Sequence, residues 1–79
     1  MMTLYVKTGC PYCQKVLDYA EQNSIQFELK NVADPAISEE LIKIGGKRQM
    51  PFLVDSEAAI SMYESDDIVK YLDQKVHEG

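Results

Sequence analysis

Two cysteines, Cys10 and Cys13, stand three positions apart and are the only ones among the 79 residues of this chain. A disulfide between them would close a very short loop and would constrain the unfolded chain little. Small secreted domains that depend on disulfides for stability carry more cysteines and spread them along the sequence. The pair is therefore placed for chemistry rather than for stability.

The pair lies between a predicted strand and a predicted helix. Residues 3–7 are rich in strand formers and end at a turn that contains Gly9. Pro11 suits the first position of a helix, where its missing N–H would have no partner. The first helix therefore begins at the cysteine motif and stops near Asn23. Its apolar positions recur at helical spacing: Cys13, Val16, Leu17 and Ala20.

A second strand is predicted around residues 26–31, followed by a second helix. Asp34 suits the N-cap of this helix and Pro35 its first position. A start at Ser38, with acidic residues in the first turn, fits the same sequence. The pair of glycines that begins at Gly45 ends the helix. We expect a buried apolar stripe on it, formed by Ile37, Leu41, Ile42 and Ile44.

The last part of the chain predicts a hairpin and a third helix. Two short strand segments, 52–54 and 58–60, flank the polar turn residues 55–57. Ser65 suits the N-cap of the third helix, and two aspartates follow it, where acidic side chains favour the helix dipole. We expect the apolar face of this helix to be formed by Ile68, Leu72 and Val76.

The element order β-α-β-α-β-β-α leaves no linker, repeat or biased segment, so we expect residues 1–79 to form one domain. The first β-α-β unit should be a right-handed crossover between parallel strands. The last two strands should pair antiparallel. The sequence therefore predicts an α/β fold with a four-stranded mixed sheet flanked by three helices. In such a fold a Cys-x-x-Cys motif indicates redox chemistry.

Charge and hydropathy argue against other classes of function. The net charge of −5 disfavours binding to the phosphate backbone of a nucleic acid. No apolar run approaches the roughly 20 residues that span a bilayer, and the first residues lack the pattern of a secretory signal. We therefore expect a cytoplasmic protein with no nucleic-acid or membrane partner. We also expect it to be a monomer.

The two sulfurs should differ in reactivity. A thiol attacks a disulfide only as its thiolate. Cys10 lies at the helix start, near free backbone N–H groups and the positive end of the helix dipole. Cys13 lies inside the first turn, where it should be sheltered. We predict that Cys10 attacks and Cys13 resolves, with Lys7 adding a positive charge nearby.

Two other interpretations of the pair are weaker. A structural zinc site needs four ligands, and His77 is the only obvious additional one in this sequence. Two inert buried cysteines would require neither the proline nor the helix start. We therefore expect no metal and no permanently bound cofactor.

The segment from Thr8 to Cys13, Thr-Gly-Cys-Pro-Tyr-Cys, resembles glutaredoxins, whose active site is typically Cys-Pro-Tyr-Cys. The resemblance extends over essentially the whole chain and implies a thioredoxin-like fold. Met50-Pro51 is similar to the family's Val-Pro pair, in which the proline is cis. The Ser-Asp-Asp-Ile segment that starts at Ser65 is similar to the family segment that holds the γ-glutamyl end of glutathione.

The resemblance implies that glutathione is the co-substrate and binds beside the cysteine pair. The start of the last helix offers N–H groups for a carboxylate, and an acidic side chain there could face the ammonium group. The backbone beside a cis proline could pair with the cysteine of glutathione like an added strand. Lys7 is a candidate for the glycine carboxylate, and Tyr12 could line the groove. The expected glutathione-binding residues are Lys7, Tyr12, Met50, Pro51, Ser65, Asp66 and Asp67.

By this resemblance the chain should be a glutathione-dependent oxidoreductase that reduces protein disulfides and glutathione mixed disulfides through Cys10 and Cys13. Its partners would be glutathione and disulfide-containing or glutathionylated proteins, with ribonucleotide reductase among them. Two alternatives stay open. One is a glutaredoxin-like hydrogen donor that thioredoxin reductase reduces. The other is an iron–sulfur carrier, in which two subunits and two glutathiones hold a cluster.

Several positions depart from the glutaredoxin pattern. Glutaredoxins usually carry Gly-Gly just before the Ser/Cys-Asp segment, and Tyr63-Glu64 stand there in this chain. Because glycine permits close approach of a ligand to the backbone, we expect Tyr63 to reshape one wall of the groove. Gln49 stands where threonine is common, and Met50 where valine is usual. We expect a solvated loop over Lys47, Arg48 and Gln49.

Overall fold

Seven elements lie along residues 2–78, the part of the chain that the computed structural model describes. Their order is the one predicted from the sequence, and their ends differ from the prediction by a few residues. The strands and helices are β1 (Met2–Val6), α1 (Pro11–Gln22), β2 (Glu28–Asn31), α2 (Pro35–Gly45), β3 (Phe52–Asp55), β4 (Ile60–Met62) and α3 (Ser65–Glu78).

The four strands form one mixed sheet in the order β2-β1-β3-β4. β1 and β2 are parallel and are joined through α1, whereas β3 pairs antiparallel with both β1 and β4. A parallel pair needs a crossover connection, and a helix supplies it here. The predicted fold class, a four-stranded mixed sheet with three helices, is confirmed.

The sheet separates two apolar clusters. Successive side chains of a strand point to opposite faces, so Leu4 lies on one face of β1 and Tyr5 on the other. Leu4 belongs to a buried cluster with residues of α1 and α3, and Tyr5 to a second cluster with Leu41 of α2 and Phe52 of β3. The fully buried residues of the first cluster are Leu4, Val16, Leu53, Ile68 and Leu72.

The apolar stripe expected on α2 is largely wrong. Leu41 is fully buried and Ile37 is half-buried, but Ile42 and Ile44 are 43% and 49% exposed. Ile42 lies about 100° around the helix from Leu41. Leu41 is the α2 residue that belongs to the buried cluster with Tyr5 and Phe52, and Ile42 lies outside that cluster.

The hairpin differs from the prediction at both ends of its turn. β4 is Ile60–Met62 rather than residues 58–60, and Asp55 ends β3 instead of opening the turn. Asp55 is 1% exposed. Its carboxylate accepts hydrogen bonds from the Tyr71 hydroxyl at 2.6 Å and the Lys75 ammonium at 2.9 Å. These partners from α3 allow an acidic residue to lie inside the protein.

Three predicted helix ends are confirmed and one is wrong. α1 ends at Gln22, with Asn23 as its C-cap. Asp34 caps α2, and its carboxylate accepts from the Ala36 N–H at 2.9 Å, which excludes the alternative start. Gly46 closes α2 in the left-handed conformation, with φ of 89°. Ser65 does not cap α3, because it is already the first helical residue. The carbonyl of Glu64 accepts the N–H of Ile68, so Glu64 takes the cap position.

The apolar face predicted for α3 is confirmed at two of its three positions. Ile68 and Leu72 are fully buried, whereas Val76, near the end of the helix, is 37% exposed. Within residues 2–78 no helix has both the length and the apolar character that a membrane span requires.

Candidate functional site

Cys10 caps the first helix through its sulfur. Its backbone is extended, with φ of −84° and ψ of 114°, and Pro11 follows as the first helical residue. The Sγ of Cys10 accepts the backbone N–H of Cys13 at 3.3 Å. The first N–H groups of a helix have no partner inside it, and here one of them is directed at a sulfur. The Cys10 sulfur therefore lies at the start of α1, in contact with one of the amides of its first turn.

The two thiols differ in access to solvent. Both are free, but Cys10 is half-buried and Cys13 is only 1% exposed. Burial, and next the hydrogen bond with Cys10, raise the pKa of the Cys13 thiol to about 11. Cys13 is therefore the more sheltered sulfur, as expected. That Cys10 attacks first stays a prediction.

A cleft of about 390 Å³ lies beside the start of α3. Three separate parts of the chain form it: the beginning of α1, the segment before β3 and the beginning of α3. The Met50–Pro51 peptide bond is cis, as the resemblance implies. The residues that line the cleft are Tyr12, Gln49, Met50, Pro51, Glu64, Ser65 and Asp66.

The cysteines line a second, smaller cavity of about 240 Å³, which we call the cysteine cavity. Lys7 belongs to it and is exposed, and its carbonyl accepts the N–H of Cys10 at 3.2 Å. The expected site residues are thus divided between two adjacent hollows. Asp67 is exposed and lies outside the lining of both. The cysteine cavity is lined by Val6, Lys7, Thr8, Gly9, Cys10, Cys13, Gln14, Leu17 and Asn31.

The cleft combines groups for anions and for cations at the start of α3. The first N–H groups of a helix attract a carboxylate, and Ser65, which is 7% exposed, opens this helix. Glu64 and Asp66, the neighbours of Ser65 in the sequence, also line the cleft. Asp66 also forms an ion pair with Lys15 of α1, and both side chains are largely exposed. A molecule with an ammonium and a carboxylate on one carbon would find partners for both.

Glu64 lines the cleft. In the sequence it stood out only as a departure from the glutaredoxin pattern. Its φ is 45°, in the left-handed region that residues other than glycine seldom adopt. Its carboxylate accepts a hydrogen bond from Gln49 at 3.0 Å, across the cleft wall. Gln49 is half-buried there, so the prediction of a solvated loop is wrong for it. Lys47 and Arg48 are exposed, as predicted.

Tyr63 does not shape the cleft in the way that we expected. Its ring packs on Phe52, with 4.5 Å between the ring centroids, and it is not among the residues that line the cleft. The departure from Gly-Gly therefore reaches the cleft through Glu64. Among the described residues there is also no group of three or more His, Cys, Asp or Glu side chains that could hold a metal ion.

Residues 4–78 match the family model described as "Glutathione S-transferase, N-terminal domain". The comparison with curated proteins finds no match. Among solved structures, the chain is similar to glutathione S-transferase 1-6 of Anopheles dirus species B, with 30% identity and a TM-score of 0.80. That match covers 98% of this chain and 37% of the transferase.

Two further solved structures are similar to this chain, and the second is similar in fold alone. A glutathione S-transferase from the Antarctic clam Laternula elliptica is 27% identical, with a TM-score of 0.80, and the match covers 95% of this chain and 35% of that one. A thioredoxin-like protein is 20% identical, with a TM-score of 0.79, and the match covers 94% of this chain and 97% of that one. This last similarity shows the thioredoxin-like fold alone. The chain spans about a third of the length of the transferases that it matches.

Proposed function

This chain belongs to the family of glutathione S-transferase N-terminal domains, as its match over residues 4–78 shows, and from this premise we propose that it binds glutathione and exchanges disulfides with it. The cleft would hold the peptide, and Cys10 would be the reacting thiol. The substrates would be glutathione mixed disulfides and protein disulfides. This is the activity of a dithiol glutaredoxin.

The shape and charges of the cleft support the binding of glutathione. Its volume of about 390 Å³ lies in the range of small-molecule sites. The γ-glutamyl end of glutathione carries an ammonium and a carboxylate. The carboxylates of Glu64 and Asp66 would face the ammonium, and the first turn of α3 the carboxylate. The backbone at Met50 would pair with the cysteine of the peptide, and Lys7 would hold the glycine carboxylate.

The observation that carries the chemistry is the hydrogen bond from the Cys13 N–H to the Cys10 sulfur. In the first step the Cys10 thiolate attacks the glutathione sulfur of a mixed disulfide. A Cys10–glutathione disulfide forms, the original S–S bond breaks, and the substrate thiol leaves with the electron pair and takes a proton from water. The amide favours the thiolate that this step requires.

A second thiol then releases the enzyme. Either reduced glutathione attacks the bound glutathione, which leaves Cys10 free and forms glutathione disulfide, or Cys13 attacks Cys10. In the second case the Cys13 proton leaves with the departing glutathione, and two further glutathiones reduce the Cys10–Cys13 disulfide. The burial of Cys13 favours glutathione as the second thiol for mixed disulfides. Cys13 is then required for substrates that Cys10 alone cannot release.

The test is turnover of a mixed disulfide of glutathione and a small thiol, supplied with glutathione, glutathione reductase and NADPH. We expect turnover by the wild-type protein and by Cys13→Ser. If neither protein turns over while Cys10 still reacts with iodoacetamide, the proposed function is wrong. Parallel reactions without the protein give the rate of the uncatalysed exchange.

One observation favours a second candidate, a hydrogen donor that thioredoxin reductase reduces. One carboxylate is enough to face the ammonium of glutathione, and Asp66 supplies it, so Glu64 adds a second negative charge to the cleft, which opposes the net negative charge of glutathione. The same assay distinguishes the two, because it can be supplied with thioredoxin reductase and NADPH in place of glutathione and its reductase. Faster turnover with thioredoxin reductase would favour the second candidate.

A further inference from the structure

Tyr63 connects β4 to α3, and its side chain packs into an apolar cluster rather than lining the cleft. Its half-buried ring packs against the apolar cluster beneath α2, where the Phe52 ring is its closest aromatic neighbour, with 4.5 Å between centroids. The next residue, Glu64, lines the cleft. Of these two consecutive residues, one therefore packs in the cluster and the other lines the cleft.

The position of the Tyr63 ring depends on a glycine in α2. A Cβ atom on Gly45 would overlap the Tyr63 hydroxyl, lie 2.7 Å from its Cζ atom and lie 3.1 Å from the Phe52 ring. Gly45 is helical, so it is not required for an unusual backbone angle. It leaves the space that the tyrosine hydroxyl occupies.

The Tyr63 hydroxyl holds the segment that follows α2. It donates a hydrogen bond to the Lys47 carbonyl at 2.7 Å and accepts the Lys47 N–H at 3.4 Å. The Lys47 ammonium lies 4.8 Å from the centroid of the same ring, in the range of a cation–π interaction. One side chain thus contacts the backbone and the side chain of Lys47.

The segment that Tyr63 holds also provides one wall of the cleft. Gln49 and Met50, two and three residues after Lys47, line it, and the Gln49 amide donates to the Glu64 carboxylate at 3.0 Å. The segment is therefore attached at two points, to Tyr63 beneath the wall and to Glu64 inside the cleft. The backbone of Met50 lies directly after the second point.

We propose that Tyr63 is a positioning residue for glutathione: without touching the peptide, its hydroxyl fixes the Lys47–Met50 segment so that the Met50 backbone is aligned for the ligand. The inference rests on the proposed function, because it concerns the same cleft. It assigns to Tyr63 an effect on the affinity for glutathione and no effect on the reactivity of Cys10.

The test is the variant Tyr63→Phe, which removes the hydroxyl and keeps the ring on Phe52. The probe is S-methylglutathione, which cannot exchange disulfides, and its Kd is measured by calorimetry. We expect the Kd to rise about 3- to 10-fold, because the variant loses the short hydrogen bond to the Lys47 carbonyl and the longer one from the Lys47 N–H. We expect an unchanged rate of Cys10 alkylation by iodoacetamide. In the turnover assay, KM for the glutathione mixed disulfide should rise while kcat stays the same.

The matched control is Tyr19→Phe. Its hydroxyl donates to Asp73 at 2.7 Å, between α1 and α3, and neither residue lines the cleft. Its Kd should equal that of the wild-type protein. An equal rise in both variants would show a general loss of structure and would overturn the inference. Thermal unfolding of both variants shows that they are folded at the temperature of the assay.

A second variant, Gly45→Ala, displaces the Tyr63 ring without removing any polar group. We expect the same rise in Kd as for Tyr63→Phe, and if this variant does not fold, Tyr63→Phe decides alone. If the wild-type protein binds S-methylglutathione and Tyr63→Phe binds it with the same Kd, the inference is overturned and the proposed function stays intact. A wild-type protein that shows no saturable binding of S-methylglutathione overturns both.

Discussion

Two helices begin at the candidate site, and their first turns differ. α1 begins after Cys10 with no acidic residue in its first turn, and one of its free amides contacts the Cys10 sulfur. α3 begins after Glu64 and carries Asp66 and Asp67 in its first turn. The first turn of α1 therefore contacts a thiol, whereas the first turn of α3 carries two carboxylates.

Under the proposed function, the two helix starts would serve different purposes. Exposed amides and the helix dipole favour negative charge. At α1, whose first turn carries no acidic residue, one of these amides contacts the Cys10 sulfur, which is the reacting atom of the proposed function. At α3 the fixed carboxylates add an attraction for cations, which suits recognition of an amino acid. We interpret the start of α1 as the chemical half of the site and the start of α3 as the binding half.

The strongest test of this division is removal of the sulfur at the start of α1. Cys10→Ser should lower turnover of glutathione mixed disulfides by at least about 1000-fold, because the hydroxyl is not a nucleophile under these conditions. The Kd for S-methylglutathione should remain near the wild-type value. A large loss of binding in this variant would show that the two halves are not separate.

The two sulfurs of the first half should differ strongly in alkylation. With iodoacetamide at pH 7, we expect one adduct, on Cys10. Cys13 should react at least about 100-fold more slowly than a free thiol, because it is buried and its pKa is raised to about 11. Its rate should increase with pH up to about that value. Peptide mass spectrometry over time measures both sites, and equal rates would contradict the difference in access.

The other end of α3 provides a test of whether turnover depends only on the first turns of α1 and α3. Tyr71 and Lys75 bind the buried carboxylate of Asp55, and these two hydrogen bonds, in that order, lower its pKa to about 2. Asp55→Asn should lower the free energy of unfolding by about 2 kcal/mol at pH 7. Turnover at a temperature where the variant is folded should not change.

The pH dependence of this effect has a definite sign. The folded pKa of Asp55 lies below the unfolded value, so the stabilisation is fully present above about pH 4 and is lost as the pH falls towards 2. The difference between wild type and Asp55→Asn in urea unfolding should therefore shrink over that range. Asp73→Asn, which changes an exposed carboxylate on the same helix, is the control and should stay near wild type.

The smallest expected effect concerns the binding half. Asp66→Asn should raise the Kd for S-methylglutathione about 2- to 5-fold, because an exposed ion pair contributes little. The rate of Cys10 alkylation should not change. Asp67→Asn is the matched control, since Asp67 lies in the same turn but outside the cleft. An equal effect of both variants would point to the general charge of the turn rather than to a contact.

The element order was predictable because its determinants are local. The strand formers before Cys10, the proline at the start of α1, the Asp34 cap and the Gly46 end each act within a few residues. The cysteine pair at a helix start is predictable for the same reason. These features fix the fold class and the position of the cysteine pair.

The errors concern residues whose environment is set by distant parts of the chain. Asp55 was predicted in a turn because its partners, Tyr71 and Lys75, stand 16 and 20 residues later. The place of Glu64 in the cleft depends on a left-handed backbone that no sequence rule assigns to glutamate. The direction of the Tyr63 ring depends on the space at Gly45. Such relations become visible only when the elements are assembled.

The absence of a side chain at Gly45 links two positions that are 18 residues apart in the sequence. Related chains that carry alanine or a larger residue at the first position should carry something smaller than an aromatic ring at the second. In a collection of such sequences the two sites should therefore change together, and tyrosine at 63 should occur mainly where 45 is glycine. A family alignment in which the two vary independently would show that the helix can shift to make room.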